Sequence, residues 1–382
     1  MMNFGWTDEQ QRRRTEAIDF AEQHLNKDLI DRNREGEWSP EAWQACADFG
    51  LLGLVVPQEY GGEGLDPLTA IAVLEGIGYG CRENGLPFAI NSQLWSTQPA
   101  LQNFGSDEQK KQYLTKLIKG EMIGAFGITE IDTGSDSYGL KASATKVDGG
   151  YRLTGTKAYI TFAPICDMAI IFATTDPDKG RWGITAFIVE RGMDGFWTEP
   201  VEEKMGLRTT PFGKLCLKDC FVASDHVLGA EGGGMAIFTN AMESERSYIF
   251  ASQIGRMERQ VEDCVAYANS RKAFGKPIGK NQAVSSRIAD MMVRLETSRN
   301  LLYKVAWLEH EGKPLLKEAA MAKMYLSECF VQSSLDAICI HGAKGYATEF
   351  EIERDLRDGI GGLLYSGTND IQRNVVAQIS GL

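Results

Sequence analysis

The sequence is poor in the residues and runs that mark several common protein classes. It has four histidines and eight cysteines in 382 residues, with no HExxH pattern and no CxxC spacing, which argues against a zinc site or a disulfide framework. No apolar run approaches the roughly 18 residues of a membrane span. The N-terminus lacks the apolar centre of a signal peptide. We therefore expect a cytoplasmic protein with no membrane partner.

Positive charge is also scarce. Forty Lys and Arg stand against 52 Asp and Glu, which gives a formal net charge of -12. Nucleic acid is not an expected partner, because phosphate contact needs clustered basic residues. A dinucleotide-binding GxGxxG turn starting at Gly76 would need glycine at position 81, where Cys81 stands, and the segment reads as helix. We expect no Rossmann fold.

One cysteine pair has a short spacing. Cys216 and Cys220 lie four residues apart in a segment that reads as a strand, so their side chains are expected on the same face. Packing is favoured over metal binding for this pair, and no metal site is predicted.

The chain does contain a change of hydrophobic period along its length. Helical signals run from about residue 7 to 120, with capping-box patterns at Thr7 and Ser106. Short β-type runs separated by turns follow. A helical period then returns after a glycine-rich link. The predicted domains are an all-helical 1–121, a β-domain 122–230 and a helical bundle 231–382.

Residues 282–307 carry the clearest helical stripe. Apolar residues recur there three or four apart in the main, which predicts one buried face. The stripe consists of Val284, Ile288, Met291, Met292, Leu295, Leu302 and Val305.

Five segments resemble the acyl-CoA dehydrogenase family in order and spacing: GLLGLVVPQEYGGEGLDPLTA, ITEIDTGSDSYGLKASA, LTGTKAYIT, SRKAFGKPIGKNQ and YSGTNDIQR. The resemblance covers essentially the whole chain. It implies an α+β multidomain fold with an N-terminal helical domain, a middle β-barrel or sandwich domain and a C-terminal four-helix bundle. It also implies bound FAD and a homotetramer in which neighbouring subunits share each FAD site.

The resemblance implies FAD contacts from the middle domain. Thr129 would bond the flavin ring and Ser135 the pyrophosphate, although 133–136 alone reads equally as a polar turn. Tyr159 would stack on the flavin where the family usually has Trp, although an aromatic residue in a strand is more often core. The implied FAD residues of this set and of the C-terminal turn are Phe126, Ile128, Thr129, Gly134, Ser135, Tyr159, Thr161, Thr368 and Asp370.

A second set of FAD contacts is implied in the C-terminal region, and of these Arg271, Phe274 and Gln282 are implied to reach the FAD of a neighbouring subunit. Arg271 suits a pyrophosphate because its planar fork pairs two oxygens at once, although its segment alone reads as loop surface. Two positions depart from the family: Cys339 stands where Gln is frequent, and Ala343 where Gly is frequent. The set consists of Arg271, Phe274, Ile278, Gln282, Cys339 and Gly342.

The catalytic base is the main departure. Most members of the family have Glu where this chain has Ser366, and a serine hydroxyl is too weakly basic to take an α-proton unaided. A minority, typified by isovaleryl-CoA and long-chain dehydrogenases, carries the Glu on an earlier helix directly before Arg. Glu245 and Arg246 stand at that place. Taken alone, Glu245 reads as a solvated acid; paired with Ser366, it is the predicted base, with a pKa raised by desolvation.

The implied reaction is α,β-dehydrogenation of an acyl thioester. Glu245 takes the α-proton, hydride leaves the β-carbon for flavin N5, and the backbone N–H of Ser366 donates to the thioester carbonyl. Ser135, Arg246 and Tyr365 are the expected substrate contacts. Asn369 or Asp370 is expected to cap the helix that follows.

The substrate class stays open at this point. Residues 81–94 and 176–192 resemble prolyl-carrier-protein dehydrogenases of pyrrole-forming natural-product pathways. The alternatives are a conventional short- or branched-chain acyl-CoA dehydrogenase, and a flavin oxygenase or catalytically silent member of the fold. An acidic carrier protein would need a basic patch, but Lys and Arg are dispersed. Either an electron-transferring flavoprotein or oxygen would accept the electrons.

Overall fold

The computed structural model describes residues 5–201 and 203–382, without the side chain of Ser244. The N-terminal region is helical, as predicted. Its first helix begins at the predicted capping box, in which Gln10 N–H donates to Thr7 Oγ1 at 3.2 Å and Thr7 N–H donates to Gln10 Oε1 at 3.0 Å. The helices are α1 Asp8–His24, α2 Leu29–Glu35, α3 Pro40–Asp48, α4 Pro67–Gly80, α5 Gly85–Ser92, α6 Gln98–Phe104 and α7 Asp107–Ile118.

The glycines of α4 serve helix packing. The segment is helical throughout, so the prediction of no dinucleotide turn there is confirmed. A Cβ on Gly78 would lie 1.6 Å from the carbonyl oxygen of Ser252, so only glycine allows α4 to approach the C-terminal helices this closely.

The middle region is an eight-stranded sheet with the order β6-β7-β3-β2-β4-β5-β8, and β1 pairs with β4. All five predicted β-type runs form strands. The pattern did not predict β2 and β6, which are short and largely exposed, or β8, which has only two residues. The strands are β1 Gly124–Gly127, β2 Ser143–Val147, β3 Gly150–Thr161, β4 Met168–Thr174, β5 Ile184–Glu190, β6 Phe196–Pro200, β7 Phe212–Ala223 and β8 Val227–Leu228.

The prediction that the two strand cysteines share a face is wrong, because β7 contains a bulge between them. Leu217 pairs with Gly155 and Cys220 with Leu153, so three residues of β7 span two of β3. The extra residue reverses the alternation of side chains. Cys216 and Cys220 therefore point to opposite faces of the sheet, and both are buried.

The C-terminal region is helical again. Most of the apolar stripe predicted within 282–307 is buried. The prediction is wrong for Met292, which is 47% exposed because it directly follows the inward-facing Met291. None of the described helices combines the length and apolar character needed to cross a membrane. The elements are α8 Gly234–Tyr248, α9 Ala251–Ser270, β9 Lys272–Ala273, β10 Lys276–Pro277, α10 Gln282–His310, α11 Leu316–His341, α12 Ala343–Tyr346, α13 Ile352–Gly361 and α14 Asn369–Ile379.

A buried polar joint ties the three regions together below α13. Asp358 accepts hydrogen bonds from Leu207 N–H at 2.6 Å and from Asn84 Nδ2 at 3.2 Å. Asp355, one turn earlier, accepts from Arg256 Nε at 2.9 Å. Because α13 leads directly into the turn that carries Ser366, this joint holds the turn against the other two regions.

Candidate active site

Glu245 lies near the C-terminal end of α8 and is buried, with 5% of its surface exposed. Its Oε1 accepts a hydrogen bond of 2.8 Å from Ser366 Oγ. Its Oε2 is buried and has no hydrogen-bond partner in the part of the chain that the structure describes. Burial raises the pKa of Glu245 to about 7. These facts exclude the alternative of a solvated acid.

Ser366 lies in the turn between α13 and α14, with a φ of 56°. Few residues other than glycine adopt this left-handed backbone. Gln372 holds the turn, since its Nε2 donates to the carbonyl oxygens of Ser366 at 3.0 Å and Gly367 at 3.1 Å. No described residue accepts a hydrogen bond from Ser366 N–H, so this donor is free for a ligand.

Two cations flank Glu245. Lys323 on α11 is fully buried and its Nζ donates to Asn369 Oδ1 at 2.7 Å. Burial lowers the pKa of Lys323 to about 7. Arg246 is half-buried, its Nε donates to Met242 O at 2.6 Å, and burial lowers its pKa. Both cations favour the charged form of Glu245 and partly offset the effect of its burial.

Aromatic rings form a wall beside the base. The Tyr365 ring lies 4.8 Å from that of Phe88 and 5.6 Å from that of Phe250. Its hydroxyl accepts from Gln253 Nε2 at 3.4 Å, and burial raises its pKa. An apolar wall next to a carboxylate suits the carbon atoms of a small acyl group.

Tyr159 occupies a bulge in β3. Lys157 pairs with Leu215 and Ile160 with Gly213, so one extra residue lies between these pairs. Tyr159 takes it up with a φ of 61° and is 58% exposed. A bulge re-aims a side chain, and the exposed ring excludes the alternative that Tyr159 is core. Thr161, two residues on, is half-buried.

The segment before β2 lies against the same part of β3. Ala158 N–H donates to Thr129 O at 2.9 Å, which brings Thr129 next to Tyr159. Gly134 and Ser135 are exposed, while the hydroxyl of Thr133 is buried and has no partner among the described residues. Of the two apolar candidates, Ile128 is buried and the Phe126 ring packs 5.1 Å from that of Phe172.

The predicted second set extends from the C-terminal helices. Phe274 is 97% exposed at a φ of 53°, and Arg271, Gln282, Cys339 and Gly342 are exposed as well. Ile278 is partly buried, and its N–H donates to Arg271 O at 2.8 Å. Most of these residues therefore lie at the surface of the chain, where another molecule can contact them.

Thr368 caps α14, which corrects the expectation that Asn369 or Asp370 would. Its Oγ1 accepts from Ile371 N–H at 3.3 Å. Asn369 is the first residue of the helix and is buried against Lys323, whereas Asp370 is exposed. The cap falls one residue earlier than expected, because the Asn369 side chain faces inward and accepts a hydrogen bond from the buried Lys323.

Sequence reasoning missed Lys323, Phe88 and Phe250. For Lys323 there was one weak signal, a single charge within the apolar run AAMAKMYL. A lysine in such a run often extends its charged end to water, so burial could not be inferred. The two phenylalanines follow ordinary helix periods and carried no signal.

Three consecutive family matches cover the chain. Residues 7–121 match the acyl-CoA dehydrogenase N-terminal domain, 125–220 the middle domain and 232–380 the C-terminal domain. The chain belongs to the acyl-CoA dehydrogenase family, and its three-part fold is the fold of that family.

Particular relatives are similar over nearly the whole length. An L-prolyl-(peptidyl-carrier protein) dehydrogenase of Pseudomonas fluorescens is 42% identical over 337 residues, covering 88% of this chain and 89% of the relative. The crystal structure of the prolyl acyl carrier protein oxidase AnaB is 45% identical with a TM-score of 0.97, covering 99% of this chain and 100% of that one. The structure of PigA with FAD and proline is 37% identical with a TM-score of 0.97 and covers 100% of both chains.

Proposed function

We propose that the protein is an FAD-dependent dehydrogenase of a prolyl or similar aminoacyl thioester carried on a carrier protein. The observation that carries the proposal is Glu245, a buried carboxylate with one unpaired oxygen and a pKa raised to about 7. A base with such a pKa is suited to proton abstraction near neutral pH. The substrate class is supported by the similarity to carrier-protein enzymes.

The chain offers features that suit FAD. Tyr159 presents an exposed ring with Thr129 beside it, and an aromatic face favours stacking with a flat ring system. The buried, unpaired hydroxyl of Thr133 is a free donor next to the exposed Gly134. We assign Thr129, Ser135, Tyr159, Thr161 and Thr368 to this site. FAD, when bound, supplies the hydride acceptor for the β-carbon of the substrate.

The residues of this chain handle the proton and the developing charge. Glu245 Oε2 takes the α-proton, and negative charge then develops on the thioester carbonyl oxygen. The free N–H of Ser366 donates to that oxygen, where one such donor contributes about 3 kcal/mol to transition-state stabilisation. Tyr365 and Phe88 exclude water from the acyl group, while Arg246 and Ser135 contact the rest of the substrate.

Anaerobic flavin reduction with a panel of thioesters tests the proposal. The panel contains prolyl and fatty-acyl carrier proteins, isovaleryl-CoA and an unloaded carrier as control. We expect the prolyl carrier protein to bleach the flavin and the CoA thioesters to do so slowly. A reversed preference would instead support a conventional acyl-CoA dehydrogenase with the same base.

The variant Glu245→Gln separates dehydrogenation from the third alternative. We expect it to bind FAD and to lose bleaching by every thioester. Unchanged thioester-dependent bleaching would contradict the assigned base, and no bleaching of the wild type by any thioester would favour an oxygenase or a silent binding member.

The oligomeric state, the electron acceptor and the location complete the proposal. The enzyme forms a homotetramer in which the second residue set completes the FAD site of a neighbouring subunit. Light scattering, which measures the mass of the oligomer, tests this assembly. Reoxidation by air compared with an electron-transferring flavoprotein would identify the acceptor. A cytoplasmic location stays a prediction that cell fractionation would test.

A further inference from the structure

The two carboxylate oxygens of Glu245 have different surroundings. Oε1 accepts the 2.8 Å hydrogen bond from Ser366 Oγ, whereas Oε2 is buried without a partner among the described residues. A buried polar atom without a partner is unfavourable, and such exceptions require an explanation. The asymmetry distinguishes one anchored oxygen from one that is available to react.

The hydroxyl that anchors Oε1 is itself rigidly held. Ser366 has a φ of 56°, and its side chain reaches Glu245 on α8. Gln372 holds the Ser366 carbonyl at 3.0 Å, and Lys323 holds Asn369 at 2.7 Å three residues later. A donor whose turn is held by these two hydrogen bonds can restrict the long, flexible side chain of a glutamate.

We propose that Ser366 is a positioning residue: its hydroxyl fixes Oε1 of Glu245 so that Oε2 of Glu245 faces the substrate α-carbon. This inference rests on the proposed function, since it requires Glu245 to be the base. It gives the Ser366 side chain a role separate from that of its backbone N–H. The alternative is that the pair only satisfies two buried polar groups, in which case the hydroxyl affects stability and not proton abstraction.

Electrostatics supports a functional consequence. A hydroxyl that donates to a carboxylate favours its charged form, and the Ser366 bond accordingly lowers the pKa of Glu245 against the larger raising effect of burial. The other groups that act on Glu245 are Arg246 on its own helix, Lys323 on α11 and Tyr365 beside Ser366. They are unchanged when only the hydroxyl is removed.

The test compares Ser366→Ala with Ser366→Gly in the FAD-loaded enzyme. Both variants lack the hydroxyl and keep the backbone N–H, but glycine favours the left-handed backbone and alanine does not. The measurement is the rate of anaerobic flavin reduction by prolyl carrier protein between pH 5 and pH 9. Ser224→Ala, in an exposed turn, is the matched control for loss of a serine hydroxyl.

We expect both variants to shift the acidic limb of the rate profile by about one pH unit to higher pH, which is about a tenfold loss at pH 6. The shift should be equal in the two variants although their melting temperatures differ. In the Glu245→Gln background, Ser366→Ala should have no further effect on the rate.

Three results would overturn the inference, and they are distinguishable. A wild-type rate and profile in both Ser366 variants would remove the role of the hydroxyl while leaving Glu245 as base. Full flavin reduction by the Glu245→Gln variant would contradict the assignment of Glu245 as the base. An infrared titration of the Glu245 carboxyl, identified by its absence in Glu245→Gln, reports the hydrogen bond without turnover; an unchanged titration in both Ser366 variants would also overturn the inference.

Discussion

At the residue scale, the partners of a buried carboxylate decide its charge. Glu130 is buried nearly as well as Glu245, and burial alone would raise its pKa. Lys157 at 2.8 Å and the backbone N–H groups of Lys141 and Ala142 outweigh that effect, so the pKa of Glu130 is lowered. Glu245 has one hydroxyl in their place, and its pKa is raised.

The two carboxylates should therefore affect stability in opposite ways as pH changes. Because its pKa is raised, Glu245 stabilises the folded state below about pH 4.5, and this stabilisation is lost as the pH rises through about 7. The free energy of unfolding of Glu245→Gln should thus increase relative to wild type by up to about 3 kcal/mol between pH 4.5 and pH 8. Urea denaturation at several pH values measures this difference.

Glu130→Gln is the matched control for that experiment. Because the pKa of Glu130 is lowered, this carboxylate stabilises the folded state above about pH 4.5, and the stabilisation is lost as the pH falls. We expect this variant to be less stable than wild type at pH 8 and closer to it at pH 4. Parallel pH dependence of the two variants would contradict the assigned directions.

At the scale of elements, the candidate site lies where regular structure is interrupted. Tyr159 lies in a bulge of β3, and Ser366 lies in the left-handed turn before α14. The hydrophobic period predicted both flanking elements but neither interruption, because a bulge or a left-handed residue leaves no periodic signal. Only the pairing of β3 with β7 shows that Tyr159 points outward.

The bulge predicts how FAD affinity depends on Tyr159. Tyr159→Ala removes the ring and should weaken FAD binding about three- to tenfold, the range expected for loss of one aromatic stacking contact. Tyr159→Phe keeps the ring and should retain nearly full affinity. Titration of the apoprotein with FAD measures both, and equal affinities of Ala and Phe variants would contradict stacking.

The cap of α14 gives a second prediction at this scale. Thr368→Ala removes the acceptor for Ile371 N–H and should lower the free energy of unfolding by about 1 kcal/mol. Asp370→Ala removes an exposed side chain whose 3.4 Å pair with Arg373 is also exposed, and should change it by less than about 0.5 kcal/mol. Urea unfolding of the two variants compares them, and the reverse order would contradict the cap assignment.

At the scale of the whole molecule, the residues that we propose to contact FAD fall into two groups on one chain. Thr129 and Tyr159 lie together on the middle sheet, whereas Arg271, Phe274 and Gln282 project from the α9–α10 connection into solvent. Phe274 is 97% exposed, and the proposed sharing of the FAD site requires a neighbouring subunit to cover it.

Mixed oligomers test whether two chains share each FAD site. Tyr159→Ala and Arg271→Ala chains, with different tags, should each retain less FAD than the wild type after dilution. When they are co-expressed and purified through both tags, some sites combine an intact surface from each chain, so FAD occupancy should rise above that of either variant alone. No rise would mean that one chain supplies the whole site.

The sequence by itself determined the order of helical, β and helical regions, the capping boxes and the family. These features depend on local period and on residue type at each position. The substitution of Ser366 for the usual glutamate also pointed to Glu245 from sequence alone.

Only the tertiary structure decided the state of those residues. It buries Glu245 and Lys323, leaves one oxygen of Glu245 without a partner among the described residues, places Cys216 and Cys220 on opposite faces of the sheet and exposes Met292. The physical reason is that burial, strand register and hydrogen-bond partners come from segments far apart in the chain. Glu245 and Ser366 are 121 residues apart, and no local pattern contains their contact.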